Sequence, residues 1–285
     1  MQRYNLNKYL YYFCIMIFVT GFGQICNNIL QFGHLYAWGK ERDLSVIAMR
    51  FCYKYPFFKI SKIKYYNWFT YLFAKYGSKM GCIPKVSFRK EEDVNSKNLQ
   101  MLETGKFVLV EGWQLRDYDA FLRHRDEIKD LFSLNEKIKK AVHIHLPVKS
   151  ENKIRLGVHI RRGDYKTWMN GNYFYSDADF IQIIQSFANL FPKKEIEIII
   201  VSNDKAIPKE LYYSSLKKSA CFLSGNPGED LYALSTCDYL IGPPSTFSLM
   251  ASFYNDANLY WIFDKKASLT KDSFKKFDYL FRHIL

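Results

Sequence analysis

The chain has 285 residues, 48% of them hydrophobic and 18% aromatic, which is apolar mass enough for one large or two ordinary globular domains and excludes a disordered chain. Its formal charge is +13, and residues 1–100 carry 15 Lys and Arg against 5 acids, so the surplus lies in the first third and points to a polyanionic partner, with a solvated basic surface as the plain alternative. Six cysteines (Cys14, Cys26, Cys52, Cys82, Cys221 and Cys237) make no Cys-x-x-Cys pair and have no His at zinc spacing, a pattern of reduced thiols in a cytoplasmic protein.

The apolar run Tyr9 to Val19 is shorter than the ~20 residues a membrane span needs. It runs into Gly21-Phe22-Gly23-Gln24, not into a small-residue cleavage site, so it reads as a buried strand over Phe13 to Thr20 and not as an export signal. Gly21, Gly23 and Gln24 form a turn into a helix over Asn28 to Lys40, and further strands fall near Leu44 to Met49 and Lys106 to Glu111. Residues 51–76 hold twelve aromatics and five lysines without one acid and show no single period, so no element is assigned there. The polar, lysine-rich stretch 133–153, with Pro147, places a domain boundary near 150, dividing the chain into 1–150 and 151–285.

Beyond that boundary strand and helix alternate, the pattern of a parallel sheet covered by helices. The strands are Ile154 to Ile160, Glu195 to Ser202, Ala220 to Leu223, Tyr239 to Gly242 and Leu259 to Phe263. Ser176 and Asp179 stand at capping-box spacing before a helix over Asp177 to Phe191, which Pro192 ends. Good cap residues also precede the apolar runs after Asn226-Pro227-Gly228 and after Ser245-Thr246. This half is Rossmann-like.

Three segments carry chemistry. His159-Ile160-Arg161-Arg162-Gly163-Asp164-Tyr165 lies where a strand ends, the edge at which open parallel sheets bind ligands. Two adjacent guanidiniums beside a glycine suit a diphosphate, because Arg makes paired charge-assisted bonds to phosphate oxygens; Asp164 is placed to hold one of them. Ser245-Thr246-Phe247-Ser248 opens a helix after the Tyr239 to Gly242 strand, an arrangement that binds anions, although capping alone accounts for the hydroxyls. Asp230, in a helix start, is an acid that can accept two N–H bonds from a guanine edge or serve as a cap.

With these residues in hand, the chain resembles the alpha-1,2-fucosyltransferases of glycosyltransferase family 11. His159 to Tyr165 matches the family's His-x-Arg-Arg-Gly-Asp-Tyr motif, and Gly112-Trp113-Gln114, Val201-Ser202-Asn203-Asp204 and Glu229-Asp230 follow in family order, so the resemblance spans roughly residues 20–265. It implies an α/β GT-B architecture, two Rossmann-like domains with parallel sheets facing across a cleft. It also implies an inverting transfer of fucose from GDP-fucose to a sugar hydroxyl, alpha-1,2 to a galactoside in surface glycan synthesis, without metal or other cofactor. By the same resemblance Arg161 and Arg162 neutralise the β-phosphate, Ser245 and Thr246 bond it, and Asp230 reads guanine; His159, Asn203 and Phe247 line the donor pocket of the second domain. Replacing Arg162 by Ala is then expected to abolish transfer without unfolding the chain.

Two departures stand out. The family's Gly-x-Gly-Asn-Gln turn has Gln24-Ile25 after Gly23 here, with Asn27 and Asn28 nearest, and a Trp pair is replaced by Leu249-Met250. Asp117-Tyr118-Asp119 and Asp177-Ala178-Asp179 match the Asp-x-Asp signature of metal-dependent transferases, but both fall at helix starts, where acids are expected anyway. For the general base Asp164, Asp119 and Glu111 remain open. The expected partners are a nucleotide-sugar donor and an oligosaccharide or lipid-linked glycan acceptor, with residues 51–76 resting on an anionic inner leaflet or forming an aromatic core edged by lysines. A different GDP-hexose is the alternative donor. A nucleic-acid role leaves the strand-end arginines and the Ser-Thr turn unexplained.

Overall fold

The structure, a computed structural model, describes residues 15–146, 148–150, 152–216 and 220–284. The chain divides into two compact units, Met1–Ser133 and Leu134–Leu285, where the sequence places the boundary near 150.

In the first unit β1 (Met16–Val19) is the described part of the early apolar run; Cys14 and everything before it lie outside the described residues. It sits inside a four-stranded parallel sheet with β2 (Ser45–Ala48), β4 (Phe107–Gly112) and β3 (Lys85–Phe88), in the order β2-β1-β4-β3. Continuous Ile, Phe and Val in β1 and β4 is what burial on both faces of a parallel sheet demands. The edge strand β3 has one neighbour and alternates exposed and buried residues, a four-residue alternation in Lys-Val-Ser-Phe that the sequence reading leaves unassigned.

Gly21 and Gly23, both at positive φ, turn the chain from β1 into α1 (Ile25–Lys40). A side chain at Gly21 would strike the Asn28 amide, which donates to the Phe22 carbonyl at 3.1 Å and to the Gln24 carbonyl at 2.5 Å. Gln24 is the N-cap residue of α1 but caps it with no side-chain bond, and Arg50 donates to the Gly23 carbonyl at 2.8 Å. Asn28, four positions late for the family pattern, organises this turn, with Oδ1 buried and unpartnered.

Residues 51–76 resolve into two halves. Phe51 and Phe58 are buried against Phe132, at ring separations of 4.8 and 5.6 Å, and build an aromatic core with Tyr55 and Ile60. The remainder leads into α2 (Trp68–Lys79), capped by Asn67 through the Thr70 N–H, of which only Ala74 is buried. Helices α3 (Ser96–Thr104), α4 (Tyr118–Arg123) and α5 (Arg125–Leu131) complete the unit.

The second unit opens with α6 (Glu136–His143). Its buried Ile138 and Val142 face inward, and His143 Nε2 lies 3.0 Å from the Tyr232 hydroxyl of α9 (Pro227–Ser235), so the apolar stripe of α6 ties residues before 150 to this unit. The five-stranded parallel sheet runs β7 (Ala220–Leu223), β6 (Glu195–Ser202), β5 (Lys153–Ile160), β8 (Tyr239–Gly242), β9 (Asn258–Trp261). Ile196, Ile198 and Ile200 of β6 pack with Phe180 and Phe187 of α7 (Asp177–Asn189) in one core. The expected capping box of Ser176 with Asp179 forms, and the cap residue Asn226 forms a second one with Glu229. Helices α8 (Lys209–Leu216), α10 (Thr246–Asn255) and α11 (Phe277–Phe281) finish the fold. Among the described residues, no helix is long and apolar enough to cross a membrane.

Candidate active site

The strand order of the second unit makes the site. From β5 the chain proceeds outward to β6 and β7 on one side, then returns to place β8 and β9 on the other, so the carboxyl ends of β5 and β8 flank a topological switch point, where α/β sheets bind ligands. His159 to Arg162 leave β5 there, and Ser245 to Phe247 follow β8 there. The Tyr165 hydroxyl donates to the Pro244 carbonyl at 2.5 Å and the His159 ring packs 5.1 Å from Phe247, which binds the two loops together.

His159 is 4% exposed and its Nδ1 has no partner. Burial, with Arg161 adding to it, pushes its pKa down to about 3, so it stays a neutral imidazole at physiological pH.

The two arginines, equivalent in sequence, are held differently. Arg161 pairs at 2.9 Å with Asp164, whose side chain is 58% exposed. Arg162, 11% exposed, donates from Nη2 to Asp177 at 2.6 Å and from Nη1 to Asp204 at 3.3 Å, and Tyr212 donates to the same Asp177 oxygen at 2.7 Å. Arg162 therefore has a structural part as well: two acids from different segments depend on it. The Ala206 N–H and Arg162 hold Asp204 below the usual carboxylate range. The Nε atoms of both arginines are buried and unpartnered.

Asn203 clamps the strand ends. Its Oδ1 accepts the Arg162 N–H at 2.8 Å and its Nδ2 donates to the Arg162 carbonyl at 3.0 Å, while Gly163 makes the turn at positive φ. Ser245 caps α10, accepting the Phe247 N–H at 3.2 Å, so the positive end of a ten-residue helix opens beside the arginine loop. Ser248 is fully buried and accepts from the Trp261 indole at 3.1 Å; it supports the turn from within and is not presented to a ligand.

Asp230 lies in the first turn of α9 and accepts the Gly225 N–H at 3.0 Å, while the capping is done by Glu229 and Asn226. Burial pushes the Asp230 carboxyl up to about 7.

Gly21, Gly23 and Gln24 belong to the first unit. There Gln31 donates to the carbonyl of Gly112, whose φ of 82° carries the chain out of β4 toward Trp113. Among the possible bases, Glu111 is paired with Lys85 at 2.7 Å and Arg89 at 3.0 Å; burial alone would raise its pKa, but these partners hold it below the usual range. The Asp177-Ala178-Asp179 match does not present two carboxylates together, because Asp177 turns to Arg162 and Asp179 to the Ser176 box; in the other match Asp117 caps α4 through the Ala120 N–H. No three His, Cys, Asp or Glu among the described residues are grouped to hold a metal ion. Sequence reasoning missed the meeting of Asp177 with Arg162 and Tyr212, because the bonds close over 15 and 35 residues and a helix-start Asp reads as an ordinary first-turn acid.

The profile of Glycosyl transferase family 11 matches residues 97–279. The O-antigen biosynthesis glycosyltransferase WbnK of Escherichia coli is 25% identical over 236 residues, which cover 75% of this chain and 76% of WbnK. A mutant of Arabidopsis thaliana FUT1 in complex with GDP aligns with TM-score 0.61 at 13% identity, over 92% of this chain and 73% of that one. POFUT1 in complex with GDP aligns with TM-score 0.55 at 13% identity, over 85% of this chain and 94% of its own. The fucosyltransferase NodZ from Bradyrhizobium gives 0.54 at 13%, over 87% and 95%. At these identities the structural likeness establishes the fold, an α/β chain of the GT-B class built on two parallel sheets.

Proposed function

The chain belongs to glycosyl transferase family 11, and we propose that this glycosyltransferase moves fucose from GDP-fucose to a sugar hydroxyl, alpha-1,2 to a galactoside, by an inverting and metal-independent route. The observation that carries the reading is the meeting of Arg161, Arg162 and the N-terminus of α10 at the β5/β8 switch point, a cationic, donor-rich place for a diphosphate. The fold it shares with GDP-bound FUT1 and POFUT1 and with NodZ supports the choice of donor.

In this reading the second unit takes the nucleotide sugar and the first, with Gly21, Gly23 and Gln24, takes the acceptor, an oligosaccharide or lipid-linked glycan in surface glycan synthesis at the cytoplasmic side. The acceptor hydroxyl attacks C1 of fucose, the C1–O bond breaks with its electron pair going to the β-phosphate, and the departing phosphate takes the hydroxyl proton. Arg161, which needs to give up only the exposed Asp164, follows that growing charge; Arg162, fixed by its two acids, supplies a standing positive potential and its unpartnered Nε. Ser245, Thr246 and the helix N-terminus add donors, His159 and Phe247 form a dry wall, and Asp230 accepts from the guanine edge. Asn203 holds the Arg162 backbone in register.

Thermal stabilisation by GDP, GDP-fucose, GDP-mannose and UDP, each with and without EDTA, tests the reading. A GDP-selective, EDTA-insensitive shift that is largest for GDP-fucose supports it. A larger shift with GDP-mannose changes the sugar; a UDP preference or a need for metal overturns the site.

A further inference from the structure

Helix α2 is built the wrong way round for a helix of a water-soluble domain. Trp68, Phe69, Leu72, Phe73, Tyr76 and Met80 are 56, 85, 40, 50, 51 and 77% exposed, whereas Ala74 is its one buried residue. At 3.6 residues per turn these six positions fall within an arc of roughly 140°, centred opposite Ala74. They form one continuous apolar stripe that faces solvent, unlike the scattered exposed hydrophobics normal on a protein surface.

The charge around the stripe is one-sided. Residues 44–90 hold ten Lys and Arg and no acid. Lys59, Lys85 and Arg89 reach acids elsewhere in the unit, Asp130 and Glu111. The lysines beside the stripe instead lie over rings, Lys64 over Tyr65 at 5.0 Å, Lys75 over Tyr71 at 5.3 Å and Lys79 over Tyr76 at 5.8 Å, which keeps apolar stems and ammonium heads at one level. Phe73 also packs on Phe18 and Phe107, at 6.0 and 5.3 Å, so the stripe is anchored to β1 and β4.

We propose that α2 lies flat in the interface of an anionic bilayer, with its aromatic stripe at headgroup depth and Lys62, Lys64, Lys75 and Lys79 among the lipid phosphates. The apolar stripe supplies buried area, and the acid-free surround supplies complementarity to a negative surface; twelve residues are too few to span. The inference is independent of the donor.

The test is co-sedimentation of the full chain with phosphatidylcholine vesicles with and without phosphatidylglycerol, in the absence of any nucleotide, while the emission of the tryptophans is followed. Binding only to the anionic vesicles, weakening with salt and accompanied by a blue shift that Trp68→Ser removes, is expected. Phe69→Ser should weaken it by roughly tenfold, and Lys62→Gln and Lys64→Gln by about fivefold each, with melting unchanged because all three side chains are exposed. Absence of binding, equal binding to neutral vesicles, or full binding by Phe69→Ser overturns the proposal. So does concentration-dependent self-association that Phe69→Ser abolishes while vesicles have no effect, which would make the face a contact between copies.

Discussion

Replacing Arg162 by Ala removes the bonds from Nη2 to Asp177 and from Nη1 to Asp204 and leaves two carboxylates, 21% and 26% exposed, without a countercharge. Stripping one partner from a fully buried pair costs ~3–5 kcal/mol; partial exposure of both acids and the retained Tyr212 bond bring the expectation here to about 2–3 kcal/mol. For a chain of this size that is a fall in Tm on the order of 5–10 °C. Arg161→Ala, whose partner Asp164 is 58% exposed, should cost less than ~1 kcal/mol. Both variants should lower transfer by about a hundredfold, so stability and not activity separates their roles. The assay is thermal melting of Arg162→Ala, Asp177→Asn and the double variant, in which the two sites should couple by about 1–2 kcal/mol. An Arg162→Ala protein that melts like the parent, or strictly additive losses, would refute the cage.

Four further outcomes are expected. Burial lifts Asp230 to about 7 from an ordinary 3.8, so the folded chain keeps a proton the unfolded chain has lost; this stabilising contribution is full below about pH 4 and gone as pH rises through 7. Asp230→Asn should therefore flatten part of the fall in Tm across that window. GDP should bind the parent more tightly as pH rises through 7, by calorimetry, and a pH-independent affinity would sink the guanine role of this carboxylate. Gly112→Ala should cost at least ~2 kcal/mol in denaturant titration, because the site has φ of 82° and a Cβ would strike the Phe88 carbonyl. Asn203→Ala should cost about 1–2 kcal/mol and lower kcat, since it removes the clamp on the Arg162 backbone; an unchanged kcat would argue against the clamp.

Much was legible in the sequence because the signals are local. Ser176 with Asp179, Asn226 with Glu229, and Ser245 announce helix starts through bonds that close within a few residues, and all three form. A run of Ile and Val from 198 to 201 marks β6, because a strand buried on both faces has no polar side to show, while β5 is marked by Ile154, Leu156, Val158 and Ile160 at every second position. The arginine motif and its strand-end position were likewise visible, and with them the family.

What the tertiary structure decided depends on partners that no local pattern names. Arg161 and Arg162 are chemically identical neighbours, yet one meets an exposed Asp three residues on and the other is held by Asp177 and Asp204, 15 and 42 residues away, which only the packing of α7 and β6 against β5 brings within reach. The aromatic run after Phe51 has one composition and two fates: Phe51 and Phe58 find Phe132 and become core, while Phe69 finds no covering element among the described residues and faces out. Composition sets what a segment is able to bury; the geometry of its neighbours sets which part is buried, and in this chain that division separates the interior of the first unit from the surface of α2.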